Sequence, residues 1–184
     1  MGKSKEKEIL ELFFNYPTKH WHFKAIKEII PIADNKISKW LKRFQKEGLI
    51  NRIKPRREMP YYIANHESAH YRNTKKLFAF TKLHESGFLD YLTSLEKAKT
   101  IILFGSLTRS DWYNESDIDL FIYGDIDHLN AGIYLSKLHR EIQIFSGKNE
   151  EDLKRMGPAL LRNILKGITL KGDIPIEVIK HATI

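Results

Sequence analysis

Apolar residues recur at helical spacing from the start of the chain, where Ile9, Leu10, Leu12, Phe13 and Phe14 make the buried stripe of a helix over residues 7–16 that Pro17 stops. A second short helix is expected over residues 23–30, closed by Pro31. A third opens at Ala33 or Asp34: Ile37, Trp40, Leu41 and Phe44 form its inner face, Asn35, Lys36, Lys39, Lys42, Arg43 and Lys46 its outer face, and Gly48 ends it. The period then changes. Leu49-Ile50-Asn51-Arg52-Ile53-Lys54 and Tyr61-Tyr62-Ile63-Ala64 read as two strands around the basic loop Pro55-Arg56-Arg57-Glu58-Met59-Pro60. Residues 67–95 return to a helical pattern interrupted at Gly87, with Leu77, Phe78, Phe80, Leu83, Phe88, Leu89 and Leu92 as packing positions. That apolar surplus serves either domain packing or a homodimer interface.

In the second half, Ile101-Ile102-Leu103-Phe104 is a short apolar run ended by Gly105, and Ile118 with Leu120-Phe121-Ile122-Tyr123 is another ended by Gly124, so both read as buried strands. Residues 140–145 alternate as a strand, with Ile142 and Ile144 inward and Glu141 and Gln143 on the opposite face. Helices are expected over residues 128–139, 150–156, 158–166 and 175–181, with a short strand over 168–170. The fold class is therefore α/β with two domains. The first is mostly helical with a small β hairpin over residues 1–66; a helical linker over 67–95 leads to a small mixed sheet with helices over 96–184.

Chemistry gathers at the ends of two strands. Alternation puts Asp117 and Asp119 on one strand face roughly 7 Å apart, a spacing from which two carboxylates bridge hard cations, and magnesium suits oxygen ligands of this kind. Gly105 removes a side chain at a sharp turn and Ser106 adds a small hydroxyl, so backbone N–H groups and that hydroxyl can approach phosphate oxygens. Arg109 offers a cation to a terminal phosphate or pairs with Asp111 and Glu115 at the surface. An anion cradle beside a cation site implies a metal–triphosphate substrate.

Charge divides the 184 residues unevenly: residues 1–86 hold 19 Lys and Arg against 9 Asp and Glu, and residues 87–184 hold 12 against 14. The basic half suits a polyanion such as DNA and the acidic half suits cations. No cysteine is present, which excludes disulfides, thiolate metal sites and a cysteine nucleophile. His20 with His22, and His66 with His70, have spacings a metal can use, but no acidic or thiolate companion supports zinc. No segment approaches eighteen apolar residues, so no membrane association and a cytoplasmic location are expected.

Leu103-Phe104-Gly105-Ser106-Leu107-Thr108-Arg109-Ser110, followed by Ser116-Asp117-Ile118-Asp119-Leu120, resembles the signature of minimal nucleotidyltransferases of the DNA polymerase beta-like superfamily. The resemblance implies that Gly105 and Ser106 open a helix holding a triphosphate, ATP being the expected nucleotide. It also implies that Asp117 and Asp119 bind two magnesium ions and that a third carboxylate on a neighbouring strand completes the site. Glu141 fills that role if the strand aligns one way; if the position falls on Gln143, catalysis is impaired. The family's usual small residue and glycine around the arginine are Thr108 and Ser110 here. Members with this catalytic half act with a helical ribonuclease-toxin partner of the HEPN type, which implies a toxin–antitoxin role.

The three amino-terminal helices and basic hairpin resemble a winged helix-turn-helix DNA-binding domain. In that geometry Asn35, Lys36, Ser38 and Lys39 meet base edges or nearby phosphates, while Lys42, Arg43, Arg52, Arg56 and Arg57 hold the backbone. Two functions follow. One is a nucleotidyltransferase acting on a protein, nucleic acid or small molecule; the other is a DNA-binding regulator whose second half has become a nucleotide sensor.

Overall fold

The computed structural model describes residues 4–127 and 129–182 and divides them into two compact units. The first comprises the described residues of Met1–Lys75 together with Trp112–Asn114; the second comprises those of Lys76–Asp111 and Glu115–Ile184. The chain is mixed α/β, helical at its amino-terminal end and built on a mixed sheet towards its carboxyl end.

In the first unit, α1 (Lys5–Asn15), α2 (Phe23–Ile29) and α3 (Asp34–Lys46) precede a two-stranded antiparallel sheet of β1 (Ile50–Ile53) and β2 (Tyr61–Ala64). Ile9, Phe13, Phe14, Ile26, Ile37, Leu41 and Phe44 are buried, which is the apolar stripe of each helix turned inward. Trp40 departs from its stripe and is only half-buried. Trp21 is buried and bridges backbone to backbone with Tyr62 on the edge of β2 opposite β1, widening the small sheet by one residue. Tyr71, at the start of α4 (Ala69–Glu85), donates its hydroxyl to the Phe13 carbonyl at 2.8 Å, and burial raises its pKa well above the usual phenol range. Trp112 packs edge-on to Phe14, its carbonyl accepts the Lys75 ammonium, and the Asn114 N–H donates to the Asn15 carbonyl.

In the second unit, α5 (Phe88–Ser94) leads to β3 (Ala98–Phe104), the four-residue α6 (Ser106–Arg109) and β4 (Ile118–Gly124). After these come α7 (Gly132–Leu138), β5 (Ile142–Gly147), α8 (Glu150–Met156), α9 (Pro158–Leu165), β6 (Ile168–Lys171) and α10 (Ile176–Ala182). The sheet order is β5-β4-β3-β6, with β4 and β5 parallel and the other pairs antiparallel. Ile102, Phe104 and Phe121 on one face pack with Leu153, Leu161, Ile164, Val178 and Ala182 of α8, α9 and α10. Asp119 alternates onto this same face, beyond its apolar part.

Two expectations change. The helix expected over residues 128–139 begins at Gly132, and His128 lies outside the described residues. Leu77, expected to pack, is 68% exposed, whereas Leu83, Phe88 and Leu92 are buried. On β5 the alternation holds over residues 141–144, with Ile142 and Ile144 half-buried and Glu141 and Gln143 exposed, while Phe145 on the Gln143 face packs against the core.

Candidate active site and basic face

Gly105 joins β3 to α6 with φ 75° and ψ −153°, a backbone region that residues with a Cβ scarcely enter. Space forbids a side chain as well. A Cβ there would lie on the Asp119 carboxylate, 2.8 Å from its Cγ. The glycine thus brings the turn and the second aspartate into one place. Phe104, the residue before the turn, is the register partner of Asp119 on β4. Ser106 begins α6, Thr108 is buried and donates its hydroxyl to the Gly105 carbonyl at 2.9 Å, and Ser110 closes the helix at φ 67°. That left-handed conformation explains why a glycine is usual at this place in the signature. Serine accepts it at a strain of about 1 kcal/mol.

Asp117 and Asp119 are both partly buried, and the Asp119 pKa is raised, first by burial and then by the neighbouring Asp117 charge, while Arg109 opposes the shift. The two carboxylates and the arginine therefore sense one another. Arg109 is exposed and also holds Asp111, Nε to Oδ2 at 3.0 Å.

Parallel pairing settles what stands beside the pair. Ile118 opposes Ile142 and Asp119 opposes Gln143, while the Ile118 N–H donates to the Glu141 carbonyl at 2.9 Å. An amide therefore occupies the place in register with Asp119, and Glu141 lies one step out, level with Asp117. Glu141 and Gln143 are both exposed. Among the described residues no three His, Cys, Asp or Glu gather closely enough to hold a metal ion, so the Glu141 carboxylate is not drawn in with the aspartates. The oxygen-only donor set and the mutual repulsion of Asp117 and Asp119 fit a hard divalent cation.

On the first unit, Asn35, Lys36, Lys39 and Lys42 lie exposed on α3, Ser38 is half-buried, and Arg52, Arg56 and Arg57 are exposed on the hairpin. Among the described residues, none of these lysines and arginines is held by a carboxylate. Arg43 differs: it pairs with Glu6 of α1 and with Glu47, and lies over the Phe44 ring. Of the histidines, His20 stacks on Tyr61 and His22 meets the Pro60 carbonyl at 3.1 Å.

Residues 88–173 match the family model described as polymerase beta, nucleotidyltransferase, which spans the turn, both aspartates and β5. This stretch is a nucleotidyltransferase domain. A candidate protein adenylyltransferase of Methanocaldococcus jannaschii is 58% identical over 31 residues, 17% of this chain. The match spans about a third (31%) of that relative's length. The crystal structure of apo (heme-free) PefR resembles 45% of this chain and covers 72% of its own, at 21% identity and a TM-score of 0.36, too low to carry an argument. No helix among the described residues is long and apolar enough to cross a membrane.

Proposed function

We propose that the chain is a magnesium-dependent nucleotidyltransferase that moves a nucleoside monophosphate from a triphosphate, ATP for preference, to an acceptor hydroxyl. The observation that carries this reading is the Asp119 carboxylate folded against Gly105, which makes the phosphate turn and the acidic strand a single site. Bound magnesium supplies charge neutralisation to the triphosphate and acidifies an attacking hydroxyl. Asp117 and Asp119 hold the cations through oxygen. The backbone at Gly105 and the Ser106 hydroxyl receive phosphate oxygens, and Arg109 adds positive charge on the same substrate. The acceptor oxygen forms a bond to the α-phosphorus, the bond to the β-phosphate oxygen breaks, and pyrophosphate leaves. Glu141, at the mouth beside Asp117, takes the acceptor proton.

Protein is the favoured acceptor class, because the short, closely similar relative is named for transfer to protein. Isothermal titration tests the site itself. ATP with magnesium should bind the wild type, and Asp117→Asn/Asp119→Asn should weaken that binding at least tenfold; equal binding would refute the assignment.

Gln143 in register with Asp119 favours a second reading, a regulator whose nucleotide site senses rather than transfers. Gln143→Asp separates the two. If the site senses only, the added carboxylate should raise transfer by an order of magnitude or more and tighten manganese binding; in a complete enzyme it should change transfer less than about threefold.

In either reading the amino-terminal unit is a winged helix-turn-helix that directs the protein to DNA, and the whole is the antitoxin of a toxin–antitoxin pair with a HEPN-type partner. The free lysines of α3 support DNA binding. Lys39→Ala and Lys42→Ala should each flatten the salt dependence of DNA affinity by about 0.9 in log–log slope. Arg43→Ala should instead lower the melting temperature and leave the slope nearly unchanged, because its guanidinium is already engaged by Glu6 and Glu47.

A further inference from the structure

Asp117 sits just before β4, where the sheet supports the backbone from one side. On the β3 side the ladder runs no further than Phe104 opposite Asp119, because the chain leaves at Gly105. On the β5 side hydrogen bonds reach back. The Ile118 N–H donates to the Glu141 carbonyl at 2.9 Å, and the Arg140 guanidinium donates to the Ser116 carbonyl at 2.6 Å across 24 residues of chain. Arg140 reaches that carbonyl because α7 ends at His139 in the left-handed region, φ 52°, which turns the chain directly into β5. A bond from a charged donor to a partly buried carbonyl is among the stronger hydrogen bonds of a protein.

We propose that Arg140 is a positioning residue for the nucleotidyl site: by holding the Ser116 carbonyl it fixes the backbone of Asp117 and thereby the aim of that carboxylate. The assignment rests on the nucleotidyl reading given above. In this role Arg140 acts through the peptide it holds. The planar guanidinium suits this work because its donors are fixed relative to one another, whereas a lysine ammonium on a flexible stem meets the same carbonyl less firmly. The effect should therefore be graded, with Arg140→Lys intermediate between wild type and Arg140→Met.

Two readouts on the full chain test it: amide hydrogen exchange at Ile118, and the affinity for manganese–ATP. Arg140→Met should keep the helix content and melt within a few degrees of the wild type. Its Ile118 amide should exchange about tenfold faster, and it should bind manganese–ATP roughly 10- to 100-fold more weakly, as expected when a group that orients a metal ligand is lost. Arg140→Lys should recover part of both. A folded Arg140→Met with wild-type exchange at Ile118, or with affinity within twofold, would overturn the proposal. Should Arg140→Met fail to fold, Arg140→Lys decides: at least threefold faster exchange at Ile118 supports the anchor, and equality refutes it. A wild type that binds no manganese–ATP would contradict the nucleotidyl reading, and the exchange result would still judge the anchor.

Discussion

Asp119→Asn should abolish nucleotidyl transfer, by roughly a thousandfold or more, and at the same time raise the melting temperature of the metal-free protein at neutral pH. The first effect follows from removing a cation ligand whose contribution to charge stabilisation is several kcal/mol, each ~1.4 kcal/mol being tenfold in rate. The second follows from the direction of its pKa. Burial and the Asp117 charge raise the Asp119 carboxyl above its ordinary value, so the folded state binds its proton more tightly than the unfolded chain does. Below the unfolded pKa both states are protonated and the residue costs nothing. As pH rises from the unfolded value through the folded one, ionisation penalises the folded state, and above the folded value the penalty is complete. The melting difference between Asp119→Asn and the wild type should accordingly be near zero in acid, widen through the carboxylate range and level off at neutral pH. Saturating magnesium and ATP should reverse its sign, because ligand stabilises only a protein that binds it. A wild type that is the more stable of the two at neutral pH without ligand would contradict this picture of strained, unneutralised carboxylates.

Gly105→Ala should damage both the stability and the activity of the second unit. A new methyl group meets the Asp119 carboxylate while the backbone is held at a positive φ, so overpacking and conformational strain act together, for a combined cost of roughly 2–4 kcal/mol. Transfer should fall with it even where the protein remains folded, since relief of the clash moves Asp119 or the turn. A double-mutant cycle separates the two costs. In an Asp119→Ala background the steric part disappears and only the backbone part remains, so Gly105→Ala should destabilise by about 1–3 kcal/mol there. Full additivity of the two substitutions would mean that Asp119 does not rest against the turn.

What the sequence made legible was local. Gly105-Ser106 and the Asp-x-Asp strand could be read because a glycine at a strand end and a two-residue alternation are rules of neighbouring residues, and the same is true of the helix breaks at Pro17, Gly48 and Gly87. Thr108 and Ser110, noted as departures from the usual signature, occupy ordinary roles for their chemistry: one hydroxyl satisfies the Gly105 carbonyl, and the other residue accepts a left-handed turn. What stayed illegible rests on contacts distant in sequence. Register between β4 and β5 placed Gln143, not Glu141, opposite Asp119, and no periodicity within residues 140–145 contains that information. Arg43 looked like an outward cation of α3 until Glu6, in another helix, took it. Trp112 was not singled out at all, because its burial depends on Phe14 and Lys75 rather than on any pattern around it. The tie between Arg140 and Ser116 belongs to the same class. Its one sequence signal was an arginine at the mouth of a strand expected to border the acidic pair.

The amide beside Asp119 also shapes how activity should be sought. With two carboxylates gathered and a third standing apart, turnover in the proposed reading would depend on how well the substrate itself completes the cation shell, which a phosphate-rich nucleotide with a preorganised acceptor would do best. A slow reaction on free small molecules and a faster one on a docked macromolecule is the expected pattern.

The most direct test of the account is transfer of label from α-labelled ATP, with magnesium, into a lysate of the source cells, comparing the wild type with Asp117→Asn/Asp119→Asn. The account predicts a labelled acceptor with the wild type alone, lost on adding a chelator, its mass identifying the class of molecule modified. Labelling of equal strength by the double variant, or none by a wild type that binds magnesium–ATP, would contradict nucleotidyl transfer by this site.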